Sequence, residues 1–116
     1  MAYDPALADR IRRALAVRPD VTEKAMFGGL AFLLGGKMFC GVVKSDLMVR
    51  VGPDRYEESL ALPHVRPMDF TGKPMKGYVY VGPRGCRTPR AVRSWVDKGA
   101  AFVATLDPLR ARRSRR

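Results

Sequence analysis

Residues 30–51 read LAFLLGGKMFCGVVKSDLMVRV, three apolar runs of strand length separated by two turn signals. Gly35-Gly36 followed by Lys37 marks a tight turn between Leu30–Leu34 and Met38–Val43, which are expected to pair as a hairpin. Lys44-Ser45-Asp46 makes the next turn and leads into Leu47–Val51. Successive side chains of a strand point to opposite faces, so Leu47, Val49 and Val51 are set against Met48 and Arg50. The stretch predicts an antiparallel meander.

Upstream, Glu23–Phe27 is expected as a short first strand that ends at Gly28-Gly29. Before it, Asp4 is a good helix cap with Pro5 at the first helical position, and Leu7, Ile11, Ala14 and Leu15 share one face. Arg18-Pro19-Asp20 ends that helix, because proline disfavours helical geometry in the residue before it. Downstream, Gly52-Pro53-Asp54 closes the sheet, and Asp54 is placed to cap a short helix over Arg55–Ala61, with Tyr56 and Leu60 inward and Pro63 as its stop. The segment His64–Gly77 reads as irregular, broken by Pro67, Gly72 and Pro74. Tyr78–Val81 is one more strand between Gly77 and Gly82-Pro83.

Thr88 then caps a last helix with Pro89 at its first position. Val92, Trp95, Val96, Phe102, Val103 and Leu106 recur at three- and four-residue intervals and form an apolar stripe. Gly99 stands where that stripe calls for another core residue, as though the sheet approached closely there. Asp107-Pro108 ends the helix. The order of elements implies an α+β fold: an antiparallel β-sheet, in meander, with the N- and C-terminal helices packed on one face. Residues 1–106 are expected to form a single domain, and 107–116 a basic, disordered tail without apolar period.

A chain of 116 residues is of single-domain size. The longest apolar stretch, Met26 to Leu34, is about half the roughly 20 residues a membrane helix needs. MAYDPALADR has no basic or apolar leader character, so a cytoplasmic protein that makes no membrane contact is expected. Two cysteines are too few for a disulfide scaffold and lack zinc-site spacing. Cys40 reads as a core thiol and Cys86 as a loop thiol whose neighbours Arg84 and Arg87 could lower its pKa. The charge is unusual: 22 basic against 11 acidic residues, net +11. Residues 84–116 hold ten of the basic residues against Asp97 and Asp107, a balance of +8, while residues 1–83 carry +3.

Catalytic chemistry finds little support in the residues. His64 is the one histidine, and a general base or metal ligand needs partners that nothing in the sequence assigns to it. Glu57-Glu58 point different ways on a helix. Gly28-Gly29 and Gly35-Gly36 lack the spacing of a phosphate loop, and read as a kink and a turn. An enzyme is therefore not expected, nor a metal or cofactor. Arg84, Arg87, Arg90 and Arg93 recur every three residues and, with Arg112 and Arg113 of the tail, are candidate phosphate-binding residues. Solvated surface is the simpler account of these arginines. Salt-dependent, non-specific contact with nucleic acid is the other.

Lys24-Ala25-Met26-Phe27-Gly28-Gly29, Lys37-Met38-Phe39 and Leu47-Met48-Val49-Arg50-Val51 resemble the N-terminal domain of the TfoX/Sxy family. Phe70, Lys73, Met75 and Tyr78-Val79-Tyr80-Val81, followed by a Trp-containing helix, extend the resemblance to roughly residues 5–106. It implies helices on an antiparallel sheet, no enzymatic activity, and regulation of competence genes together with other transcription factors. Full-length members carry a second, helical domain, so this chain is expected to be a stand-alone relative. Alternation sets Met38 and Phe39 on opposite faces. If the second face of the sheet is open, Lys37, Met38, Met48 and Arg50 are its candidate partner-binding residues. The partner expected there is a protein, the transcription machinery included; the oligomeric state, a dimer included, is left open.

Overall fold

The computed structural model describes residues 3–18, 20–26, 28–69 and 74–106. Val21–Met26 (β1), Gly29–Leu34 (β2), Lys37–Val43 (β3) and Asp46–Arg50 (β4) pair as successive antiparallel neighbours. Gly35 and Gly36 both have positive φ, 60° and 81°, which a side chain would resist, so the β2–β3 turn needs its glycines. The meander read from residues 30–51 is therefore present.

The sheet then departs from chain order. His64–Gly77 is not irregular: Val65–Asp69 (β5) and Pro74–Val81 (β6) form a further hairpin. β6 pairs with β4 and leaves β5 outside, giving the order β1-β2-β3-β4-β6-β5 in one antiparallel sheet. The prolines are compatible with strands because of where they fall. Pro74 opens β6, and Pro67 belongs to an edge strand, where a missing N–H costs no ladder bond on the open side.

β3 carries a bulge. Phe32 pairs with Cys40 and Leu33 with Met38, so Phe39 is an extra residue on β3. Phe39 and Cys40 are consequently both fully buried in the same core. Beyond the bulge, Met38 pairs with Leu33 and Lys37 with Leu34.

Pro5–Ala14 (α1) and Pro89–Ala104 (α3) cover one face of the sheet. Asp4 caps α1 by accepting from the Ala6 N–H at 2.9 Å, and Thr88 caps α3 by accepting from Ala91 N–H at 3.1 Å. Leu7, Ala8 and Ile11 of α1 meet Val92, Trp95, Val96, Ala100 and Val103 of α3 over a floor of Phe32, Phe39, Cys40, Val42, Leu47, Val49, Val79 and Val81. Burying each large side chain of this set contributes roughly 1.5–3 kcal/mol, and this core fixes α3 on the sheet. Gly99 marks the closest approach: a Cβ there would overlap the Phe39 carbonyl oxygen, on the bulge itself.

A 3-10 turn, Pro53–Arg55, leads into Tyr56–Leu60 (α2), shorter than the helix expected over Arg55–Ala61. Tyr56 and Leu60 join the same core. The stripe of α3 stops earlier than expected, because the helix ends at Ala104 and Leu106 is exposed. The tail expected over 107–116, together with Phe27, Phe70 and Lys73, lies outside the described residues.

Candidate functional site

The buried residues of all three described helices, Ser59 of α2 and Gly99 of α3 apart, belong to the core on one side of the sheet. The opposite face carries no described helix. Its composition follows from register: Lys24, Ala31, Gly41, Met48, Tyr80 and Arg66 are paired in turn across all the strands and form one row. Arg50 and Tyr78 form the neighbouring pair, and Leu33 with Met38 the pair beyond the bulge.

The middle of this face is shallow because two of its residues are small. A Cβ on Gly41 would stand 3.0 Å from Met48 Cε, so the methionine lies across the glycine. Met48 is 2% exposed and Ala31 1%, although neither belongs to the helix-side core; Met68 on β5 is likewise buried outside it. Ala31 and Met48, separated in the row by Gly41, make a floor. Leu33, Met38, Arg50, Tyr78 and Tyr80 stand around it, each half-buried.

Two arginines stand over aromatic rings. The Arg50 guanidinium carbon is 5.4 Å from the Tyr78 centroid and 5.3 Å from that of Phe102. That of Arg66 is 4.9 Å from Tyr80, and its Nη2 is ion-paired with Asp46. Such stacks keep the cations beside apolar surface with their stems folded onto it. The face thus presents methionine, leucine and tyrosine within a cationic margin of Lys24, Arg50 and Arg66.

Of the residues read from the sequence as partner-binding, Met38, Met48 and Arg50 come together on this face, Met48 as floor and Arg50 at the margin. Lys37 does not join them: its pairing with Leu34, a core residue, sets it on the helix side at the hairpin end. Leu33, Arg66, Tyr78 and Tyr80 were missed. The alternation in Tyr78-Val79-Tyr80-Val81 was the signal that could have found the tyrosines.

Arg84, Arg87, Arg90 and Arg93 are all exposed, and none makes an ion pair among the described residues. Arg12, Arg18 and Arg66, by contrast, are paired with Glu23, Asp97 and Asp46. Arg112 and Arg113 lie outside the described residues. Arg84 lines a cleft of about 500 Å³ with His64, Val65, Arg66, Gly82 and Pro83. A smaller cleft of about 240 Å³, lined by Arg12, Leu15, Arg18, Val21, Glu23 and Phe32, has its charges already paired.

Cys86 is not a reactive loop thiol. It is 1% exposed, its Sγ donates to the Gly82 carbonyl at 3.3 Å, and burial pushes the thiol pKa up despite an opposing pull from Arg10. Burial likewise raises Cys40. Among the described residues no three of His, Cys, Asp or Glu come together as a metal site, and no helix is long and apolar enough to cross a membrane.

A family model described as the TfoX N-terminal domain matches residues 13–103. Neither curated proteins nor solved structures gave a significant match.

Proposed function

Because the chain belongs to the TfoX N-terminal domain family, we propose that it is a non-enzymatic regulatory module that binds a protein of the transcription machinery through the helix-free face of its sheet. The observation that carries this reading is the combination on that face of an apolar floor, half-buried Leu33, Met38, Tyr78 and Tyr80, and a cationic margin. Apolar surface rimmed by polar groups is the usual mark of a contact site, and tyrosine and arginine are the residue types that most often anchor one. The fitting partner offers apolar side chains among acidic ones, the carboxylates meeting Lys24, Arg50 and Arg66. Both thiols are buried and held protonated, which supports a binding role over thiol chemistry.

The test compares affinity captures by wild-type protein, Met38→Glu and Lys37→Glu, at physiological salt and with melting temperatures recorded for each. Met38 stands on the proposed face and Lys37 on the other, so a specific partner should be lost with Met38→Glu and kept with Lys37→Glu. Equal capture by all three folded proteins would sink the proposal.

A further inference from the structure

We propose that the cleft between His64–Arg66 and Gly82–Arg84 seats a phosphodiester of a nucleic-acid strand, with Arg87, Arg90 and Arg93 meeting the phosphates next along it. Two of the six lining residues, Arg66 and Arg84, are arginines, and none is acidic. Arg66 is ion-paired through its Nη2 with Asp46, so Arg84 is the cleft's unpaired arginine among the described residues. The walls of the cleft are fixed to each other. Gly82 N–H donates to the His64 carbonyl at 2.7 Å, and a Cβ on Gly85 would crowd Val81 Cγ1 and His64 Cβ, so the loop closes directly on His64.

From this seat the chain carries three further exposed, unpaired arginines into the first turns of α3. That first turn holds no acidic residue, so the positive end of a 16-residue helix adds to the same field. Four like charges left unpaired raise the energy of the free protein, and an anion relieves it. Guanidinium forks match phosphate oxygens in pairs. The apolar residues of the lining, Val65 and Pro83, are small, and it holds none of the large aromatic side chains that most often anchor a protein partner. A nucleic-acid backbone, bound through charge alone, fits better.

The proposal shares one residue, Arg66, with the reading of the sheet face, and Arg66 is left intact in the test. Full-length protein is titrated into a short labelled DNA duplex, and into one of its single strands, at several salt concentrations. The slope of log affinity against log salt is about −0.9 per duplex phosphate neutralised. Arg84→Ala/Arg87→Ala should reduce that slope by about two contacts and weaken binding roughly tenfold or more at low salt. Arg13→Ala, an exposed change on α1, should leave both unchanged. The tail is present in every variant, so its arginines do not alter the difference. Inorganic pyrophosphate should compete, and polyglutamate of equal charge should not. Equal slopes for wild type and the double variant, or displacement by polyglutamate as effective as by pyrophosphate, overturns the proposal.

Discussion

Gly99→Ala places one methyl group where α3 crosses the β3 bulge. In a free helix the change would stabilise by about 1 kcal/mol, because alanine loses less backbone freedom than glycine. Here the added Cβ overlaps the Phe39 carbonyl oxygen and comes within 3.3 Å of its carbonyl carbon and 3.5 Å of Cδ2. The obstacle is backbone on a buried strand, so either α3 lifts from the sheet or the bulge deforms. Overpacking of this kind costs about 1–3 kcal/mol, and with backbone in the way the upper part of that range applies. Net destabilisation should be about 1–2 kcal/mol, a fall in melting temperature of roughly 5–10 °C for a domain of this size. Thermal and urea unfolding followed by circular dichroism and by the fluorescence of the buried Trp95 would measure it. Ala101→Gly, at an exposed position of the same helix, is the control and should lose about 1 kcal/mol through propensity alone. A Gly99→Ala protein as stable as wild type, or more so, would refute the close approach.

Met48→Ala should cost about 2–3 kcal/mol in urea unfolding, as a core methionine would, although no described helix covers it; a loss under about 0.5 kcal/mol would mean that Met48 is not the floor of its face. Glu23 accepts two hydrogen bonds of 2.9 Å from Arg12, which hold its carboxyl below the usual glutamate range. A lowered folded-state pKa adds stability above the unfolded value, near about 4.3, and that stability is lost as pH falls through the folded value. Glu23→Gln should therefore cost no more than about 1 kcal/mol at neutral pH, the pair being well exposed, and its stability should converge with that of wild type as pH falls below the lowered Glu23 value. Iodoacetamide should label neither Cys40 nor Cys86 in the native protein and both in denaturant; rapid native labelling of Cys86 would contradict its burial.

Local chemistry made much of this fold legible. Gly35-Gly36 and Lys44-Ser45-Asp46 announce the turns of the meander, Asp4-Pro5 and Thr88-Pro89 the helix starts, and Gly99 its own close contact. What was not legible depends on non-local pairing. β5 is a strand despite Pro67 because it lies at an edge, and edge position is a property of the assembled sheet. The bulge at Phe39 reverses the face of Lys37 while leaving Met38 opposed to Phe39, and no residue type in Lys37-Met38-Phe39 signals an extra residue in the ladder. Cys86 looked exposed between arginines, yet the 3-10 turn at Pro83–Gly85 folds its thiol inward against the Gly82 carbonyl. Tyr78 and Tyr80 were readable by alternation. Their stacking under Arg50 and Arg66, respectively, required the pairing of β6 with β4 and β5.

The central claim is that partner contact belongs to the sheet face that carries none of the described helices. Photo-crosslinking residues introduced one at a time at Leu33 and Tyr80 on that face, and at Arg13 and Ala101 on the exposed sides of the helices, test it in the source cells. The account predicts one common crosslinked protein from Leu33 and Tyr80, competed by unlabelled wild type and absent from Arg13 and Ala101. Crosslinks to that protein from the helix positions, with none from the sheet, would contradict it.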